Sequence, residues 1–130
     1  MREILFRGKG TRGKHSGEWV TGDLWHHADK ESVVYSNELD SKVWVSAKTV
    51  GQFTGITDKN DKEIFEGDVV RYTNKDGTHA FYEVVWSNSC GAWMLQYHGA
   101  PGFFSVAGFR LLVEVIGNIH DNPDLLSREA

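Results

Sequence analysis

The sequence contains few of the features that mark secreted or membrane proteins. It has one cysteine, Cys90, in 130 residues, which excludes an internal disulfide and favours a reducing compartment. It has no apolar run approaching the ~18 residues that cross a membrane, and its charged first residues are unlike a signal peptide. We therefore expect a cytoplasmic protein that does not enter a membrane.

Sustained helical periodicity is also absent, and proline is rare. The chain has 2 Pro against 14 Gly, 5 Trp, 4 Tyr and 7 Phe, a balance typical of β-rich proteins, which place glycine in turns and aromatics on pleated faces. Short alternating runs in the first part of the chain predict strands at residues 3–7, 18–25, 32–35 and 43–45. Loops are predicted between them at 8–17, 26–31 and 37–42, and Gly22 is a candidate β-bulge.

The central stretch, residues 49–72, organises the rest of the predicted fold. A strand over 50–56 leads to a polar turn at 57–61, and a Glu-Gly-Asp turn at 66–68 opens the next strand, 69–72. We expect Gly67 to adopt a positive φ and Asp68 to cap a nearby backbone N–H. The residues predicted to shape these turns are Gly51, Gly55, Asp58, Asn60, Gly67 and Asp68. A Gly-Asp turn before a β-branched strand is typical of SH3-like barrels.

The remainder of the chain predicts further hairpins. Residues 74–77 fit a hairpin-type turn, and 81–86 is expected to pair with 92–97 through the link 87–91. Residues 98–102 are a predicted loop, the apolar stretches 103–106 and 109–113 fit either a strand or one helical turn, and 114–119 is a last strand. Asn122 and Pro123 predict the start of a short helix over 123–128.

Passages spread along the whole sequence carry a family resemblance. They are REILFRGK at 2–9, WVTGDL at 19–24, TVGQFTGITDKN at 49–60, IFEGDVV at 64–70 and EVIGNIHDNP at 114–123. Through these passages the chain resembles the YopX family of small phage and prophage proteins. The resemblance implies a bacterial or bacteriophage origin, a mainly β fold and no settled biochemical role, and it brings no catalytic motif.

The strand pattern and the resemblance together predict one mainly β domain over residues 1–130. We expect a short N-terminal strand assembly at 1–48, packed on a small SH3-like barrel at 49–120. A tail at 121–130 follows, with a short helical turn.

Patterns for metal binding and catalysis are weak. A calcium loop starting at Asp58 would place Lys62, Glu63 and Val69 where it needs an oxygen ligand, a glycine and a glutamate, so a capped β-turn is favoured. The histidines lack the paired spacing of zinc ligands; they are His15, His26, His27, His79, His98 and His120. Cys90 could meet a histidine from a flanking loop, but an incidental thiol is favoured. We expect no catalytic residue, metal or cofactor.

The surplus of aromatic side chains is the main binding signal. The candidate binding residues are Trp19, Trp25, Trp44, Tyr82, Trp86, Trp93 and Tyr97, together with Arg7 and Arg12. Each aromatic can belong to the core, as a cross-strand pair, or to an exposed platform for a peptide, a nucleobase or a second subunit; the core is favoured. Residues 1–14 carry five basic groups against one acidic, whereas 15–130 carry nine against seventeen. The bulk of the chain should therefore repel polyanions.

The function that these features favour is a non-enzymatic binding or assembly module in a phage or prophage context. We expect it to act through protein contacts, as a homo-oligomer or with one protein partner. The alternative is a nucleic-acid-associated regulator that uses residues 2–14 and the aromatic platform. A small enzyme with an unrecognised site is the third hypothesis.

Overall fold

The chain folds into two compact units, Met1–Phe53 and Thr54–Ala130, here called the first and the second unit. The structure is a computed structural model that describes residues 3–28, 31–97 and 104–127. These residues are mainly in antiparallel β-strands, which confirms the predicted fold class. The predicted N-terminal subdomain ends at residue 48, whereas the first unit continues to Phe53 because the next strand begins by pairing with the first one.

The first unit is an antiparallel sheet. Its strands are β1 (Phe6–Lys9), β2 (Trp19–Ala28), β3 (Glu31–Ser36), β4 (Ser41–Ser46) and the first residues of β5 (Gly51–Thr57). They lie in the order β4-β3-β2-β1-β5. Single 3-10 turns at Gly13–His15 and Ala47–Thr49 connect β1 to β2 and β4 to β5.

Small side chains let the strands of the first unit approach closely. Its buried cluster consists of Val20, Val34, Val43 and Val45, with Leu24 and Val50 packed against it. A Cβ atom on Gly22 would lie 1.8 Å from the carbonyl oxygen of Tyr35, and one on Gly8 would lie 2.7 Å from a methyl group of Val45. The packing of this unit therefore depends on the absence of side chains at both glycines.

The structure corrects the predicted start of the first unit. The first strand begins at Phe6 rather than residue 3 and extends through Gly8 and Lys9, which were predicted to open a loop. Gly8 pairs with Val20 and Lys9 with Trp19, so the glycine that suggested a loop serves instead to admit Val45 against the strand.

The predicted bulge at Gly22 is also wrong. Gly22 pairs regularly with Phe6, and the irregular register lies further on, between His26 and Ala28. The strand β2 continues to Ala28 and β3 starts at Glu31, so the predicted turn at 26–31 is shorter than expected; residues 29 and 30 lie outside the described residues. Likewise β4 begins at Ser41, inside the predicted loop 37–42.

The second unit contains the rest of β5 and a five-stranded antiparallel sheet. Strand β6 (Glu63–Phe65) neighbours β5, and the five strands of the sheet are β7 (Asp68–Thr73), β8 (His79–Ser87), β9 (Ala92–Gln96), β10 (Phe104–Ser105) and β11 (Val113–Asn118). The sheet order is β10-β9-β8-β7-β11. The core cluster is Ile64, Val70, Val84, Leu95, Val106, Val113 and Val115. Closure of this sheet into an SH3-like barrel stays a prediction.

The predicted hairpin of the second unit is confirmed, and its ambiguous apolar stretch is resolved. Strands β8 and β9 pair with Trp86 opposite Trp93. The apolar stretch divides into β10, the one-turn helix α1 (Val106–Phe109) and a 3-10 turn, Arg110–Leu112. The predicted C-terminal helix is a 3-10 helix, Pro123–Ser127. The predicted loop at 98–102, with His98, lies outside the described residues, as does residue 128.

Candidate binding surfaces

Asp58 is the centre of the polar turn after β5. Its side chain is 1 % exposed. One carboxylate oxygen accepts the backbone N–H groups of Asn60 (2.8 Å) and Lys62 (2.9 Å), and the other accepts that of Val115 (2.8 Å). Three N–H donors therefore surround the buried carboxylate, which is how a capped turn satisfies its backbone.

The turn into β7 has the geometry that its sequence predicts. Gly67 adopts φ +89°, and Asp68, 1 % exposed, accepts the backbone N–H of Phe65 at 2.7 Å. The Gly67 N–H donates to the carbonyl of Val84 (2.9 Å), and its carbonyl accepts from the N–H of Ile119 (2.9 Å). Both acidic residues thus hold the backbone of the second unit.

The other predicted turn residues differ in their roles. Gly51 is the first residue of β5 and lies opposite Arg7, so its assignment to a turn is corrected. Gly55 adopts φ +82° within β5. Asn60 donates its side-chain amide to Glu114 (3.1 Å), whose carboxylate also accepts from Arg71 at 2.6 Å. The hydrogen bond from Arg71 is the main reason that the pKa of Glu114 lies below its ordinary value.

Tryptophan and basic side chains meet in the first unit. The Arg7 guanidinium lies 4.8 Å from the ring centroid of Trp19, and the Lys9 ammonium lies 5.9 Å from the same ring. Arg12 and Lys42 hold equivalent positions elsewhere in this unit: Arg12 lies 4.3 Å from the Trp44 ring and Lys42 lies 4.5 Å from the Trp25 ring. These distances are those of cation–π contacts.

The strand register places these side chains on one face of the sheet. Trp25 is opposite Val33, and Val33 is opposite Trp44, so all three project the same way. Val33 is 6 % exposed but does not belong to the valine core. It lies between Trp25 and Trp44 on the face opposite that core, and the two indoles cover it. Trp19 lies six residues from Trp25 on β2, an even spacing that gives it the same direction. We call this surface the cation–tryptophan face; it consists of Arg7, Lys9, Arg12, Lys42, Trp19, Trp25 and Trp44.

The aromatic candidates of the second unit contact one another instead. Trp86 and Trp93 pack edge to face with centroids 5.1 Å apart, and the Trp86 indole N–H donates to Asn88 at 3.0 Å. Tyr82 contacts Tyr97 at 5.6 Å between centroids. Such pairs stabilise adjacent strands, and they leave Trp86 46 % exposed and Tyr97 39 % exposed.

An open groove of about 220 Å³ lies beside these pairs in the second unit. Polar and apolar atoms contribute about equally to its surface, and its lining residues are Tyr72, Asn74, Tyr82, Leu95, Phe104, Phe109 and Val113. Leu95 and Val113 are buried core residues, whereas Phe104 is 40 % exposed. Burial raises the pKa of Tyr82 above its ordinary value, so its phenol keeps its proton at neutral pH. We call this feature the aromatic groove.

Comparison with known proteins places the chain. Residues 5–127 match the family described as YopX protein. The chain belongs to the YopX family. The fold of this YopX-family protein is similar to the crystal structure of protein EF1440 from Enterococcus faecalis, with a TM-score of 0.58, 22 % sequence identity, and coverage of 97 % of this chain and 99 % of that one. At this identity the likeness shows the fold. Among curated proteins, none has significant sequence similarity to the chain.

Eight members of these two surfaces were not among the sequence candidates for this YopX-family protein: Lys9, Lys42, Tyr72, Asn74, Leu95, Phe104, Phe109 and Val113. Lys42 lies far from Trp25 in sequence, and the two meet only because β3 separates the strands that carry them. A basic residue alternating with Arg7 on β1 could have identified Lys9. Phe104 and Phe109 carry no local signal, since apolar aromatics next to a small core usually enter it.

The side chains of Cys90 and His15 in the YopX-family protein lie at turns. Cys90 is exposed at the tip of the β8–β9 hairpin, where its backbone N–H donates to Ser87 Oγ at 3.1 Å. His15 and Glu18 form a 2.9 Å contact that joins the ends of one turn. Within 3–28, 31–97 and 104–127, no three His, Cys, Asp or Glu side chains gather as metal ligands, and no helix has the length and apolar character to cross a membrane.

Proposed function

We propose that this YopX-family protein is a non-enzymatic binding or assembly module of a phage or prophage that acts in the bacterial cytoplasm through protein contacts. The observation that supports this proposal is the aromatic groove. Its volume of about 220 Å³ is below the ~300–1,000 Å³ typical of small-molecule and cofactor sites. A groove of this size and lining accommodates one or two apolar side chains of a protein partner.

The surroundings of the groove favour a protein occupant. Leu111 and Leu112 follow α1 and are 64 % and 51 % exposed, and Phe104 at the groove itself is 40 % exposed. Aromatic and aliphatic side chains that remain in water and lie near a concave site are characteristic of interface centres.

A second copy of the chain is the simplest partner of this kind. It presents the exposed pair Leu111 and Leu112, and insertion of one leucine into the groove of the other copy would bury apolar surface on both sides. A symmetric dimer would repeat this contact twice.

Sedimentation velocity over a wide concentration range tests the proposal. We expect a reversible dimer that Phe104→Ala and Leu111→Ser weaken, because each removes apolar area from the contact. Leu39→Ala is the matched control: Leu39 is also 39 % exposed but belongs to the first unit. A strictly monomeric protein, together with no partner whose binding depends on Phe104, would contradict the proposed function.

A further inference from the structure

We propose that the cation–tryptophan face of the first unit binds single-stranded nucleic acid. This surface is separate from the aromatic groove, and the inference does not depend on the proposed function. It starts from four basic side chains that lie within 6 Å of three tryptophan rings on one face of the sheet.

The chemistry of the face matches both parts of a nucleotide. Proteins that bind single strands combine basic groups for the phosphates with aromatic rings on which the bases stack. Trp25 is 59 % exposed, so its ring offers stacking surface in addition to its contact with Lys42. The guanidinium of Arg12, 4.3 Å from the Trp44 ring, is a planar cation that can contact a phosphate or stack on a base.

The dimensions of the face fit a short stretch of strand. Trp19 and Trp25 lie on the same side of β2 about 20 Å apart, from the rise of an extended strand. Trp44 lies across β3 from Trp25. A single strand that follows β2 would therefore pass basic and aromatic groups at both ends of the strand.

The distribution of charge favours the first unit over the second. The first unit contains eight basic and seven acidic residues, a balance of +1, while the second contains six and eleven, a balance of −5. The net charge therefore opposes a polyanion at the second unit and is close to neutral towards it at the first.

At least four acidic groups oppose phosphate on or beside the proposed surface. Glu18 and Glu38 line a small pocket together with Trp19. Asp23 lies on the Trp19–Trp25 side of β2, and Asp40 accepts the phenol O–H of Tyr35 at 2.7 Å. Asp23 pairs in register with Tyr35. Because these carboxylates weaken a purely electrostatic contact, the stacking of bases has to contribute to affinity. The face should thus distinguish a nucleic acid from other polyanions.

Fluorescence anisotropy of labelled ~12-nucleotide strands, within the range of single-strand site sizes, tests the inference. We expect oligo-dT or oligo-U to bind at low salt, with the DNA and RNA arms showing which backbone is preferred. Trp25→Ala should weaken binding about tenfold, the effect of losing one stacked base. Arg12→Ala and Lys42→Ala should each lower the salt dependence by about 0.7 in the log–log slope if each contacts one phosphate.

The second unit supplies matched controls. Trp86 is 46 % exposed and packs against Trp93, and Lys75 is exposed in a hairpin turn. Trp86→Ala and Lys75→Ala should leave binding unchanged, with thermal melts verifying that every variant is folded. Four outcomes would overturn the inference: no binding at low salt, equal losses for the Trp25 and Trp86 variants, equal affinity for an abasic strand, or equal affinity for polyglutamate.

Discussion

The two units of this protein build antiparallel sheets by opposite means. In the first unit, strands approach closely because Gly8 and Gly22 have no side chains. On the face opposite the valine core, aromatic rings contact basic side chains. In the second, buried carboxylates hold the backbone of the turns, and aromatic rings contact other rings. Aromatic side chains therefore make cation–π contacts in one unit and ring–ring contacts in the other. The neighbouring side chains determine which kind of surface a ring forms.

The largest effect is expected from Asp58→Ala in the second unit. The substitution removes the acceptor of three buried N–H groups, each hydrogen bond to a charged group contributing about 1.5–3 kcal/mol. We expect the free energy of unfolding to fall by about 4 kcal/mol, measured by urea denaturation.

Asp58→Asn is the control for charge and shape. Its single carbonyl oxygen can still accept on one side, but its NH₂ group would face an N–H on the other, so we expect a loss nearly as large. A variant as stable as the parent would show that the turn does not depend on this carboxylate.

The first unit should respond to added volume rather than to a lost acceptor. Gly22→Ala places a Cβ atom 1.8 Å from the carbonyl oxygen of Tyr35, so the paired strands must separate, and we expect a loss of about 3 kcal/mol. Gly13→Ala is the matched control: Gly13 has φ +68° and open space around it, so only the backbone term of about 1–2 kcal/mol applies. Equal urea midpoints for both variants would show that the close approach of Gly22 to Tyr35 does not limit stability.

The smallest expected effect is a pH-dependent gain from Glu83→Gln in the second unit. Burial, followed by repulsion from Glu66, raises the pKa of Glu83 above its ordinary 4.5. The folded state therefore binds the proton more tightly than the unfolded state, so this group favours folding below pH 4.5 and loses that contribution as pH rises through the raised pKa.

The Gln variant has no carboxylate to bury, so it does not lose stability as pH rises. We expect it to be slightly more stable than the parent at pH 7, and the difference in the free energy of unfolding should vanish below pH 4. Urea melts at several pH values measure it. Glu114→Gln should behave in the opposite sense, because the pKa of Glu114 is lowered by Arg71: its loss is present at pH 7 and disappears in acid.

Sequence reasoning succeeded where contacts are local. Asp68 caps the N–H of Phe65, three residues away, and Gly67 precedes it at positive φ; both roles follow from the residues of a single turn. The β8–β9 hairpin was equally legible, because its link and its flanking apolar runs are adjacent in sequence.

Sequence reasoning failed where the role of a residue depends on a neighbour that is distant in sequence. A glycine inside a strand pattern signals either a bulge or a close approach, and only the carbonyl of Tyr35 decides the case of Gly22. Gly8 looked like the start of a loop for the same reason, since nothing nearby in sequence reveals Val45. The pairing of Lys42 with Trp25 likewise depends on the order of three strands.

The hydrogen bond from Val115 to Asp58 has a consequence for synthesis on the ribosome. It joins residues 57 positions apart, whereas the hydrogen bond from Lys9 to Thr49 in the first unit spans 40 and lies wholly within the first 53 residues. Translation proceeds at roughly 5–20 residues per second, so all 53 residues of the first unit are synthesised several seconds before Val115. Until Val115 is added, the carboxylate of Asp58 lacks one of its three N–H donors. The turn after β5 can therefore be completed only when β11, the last strand, has been synthesised.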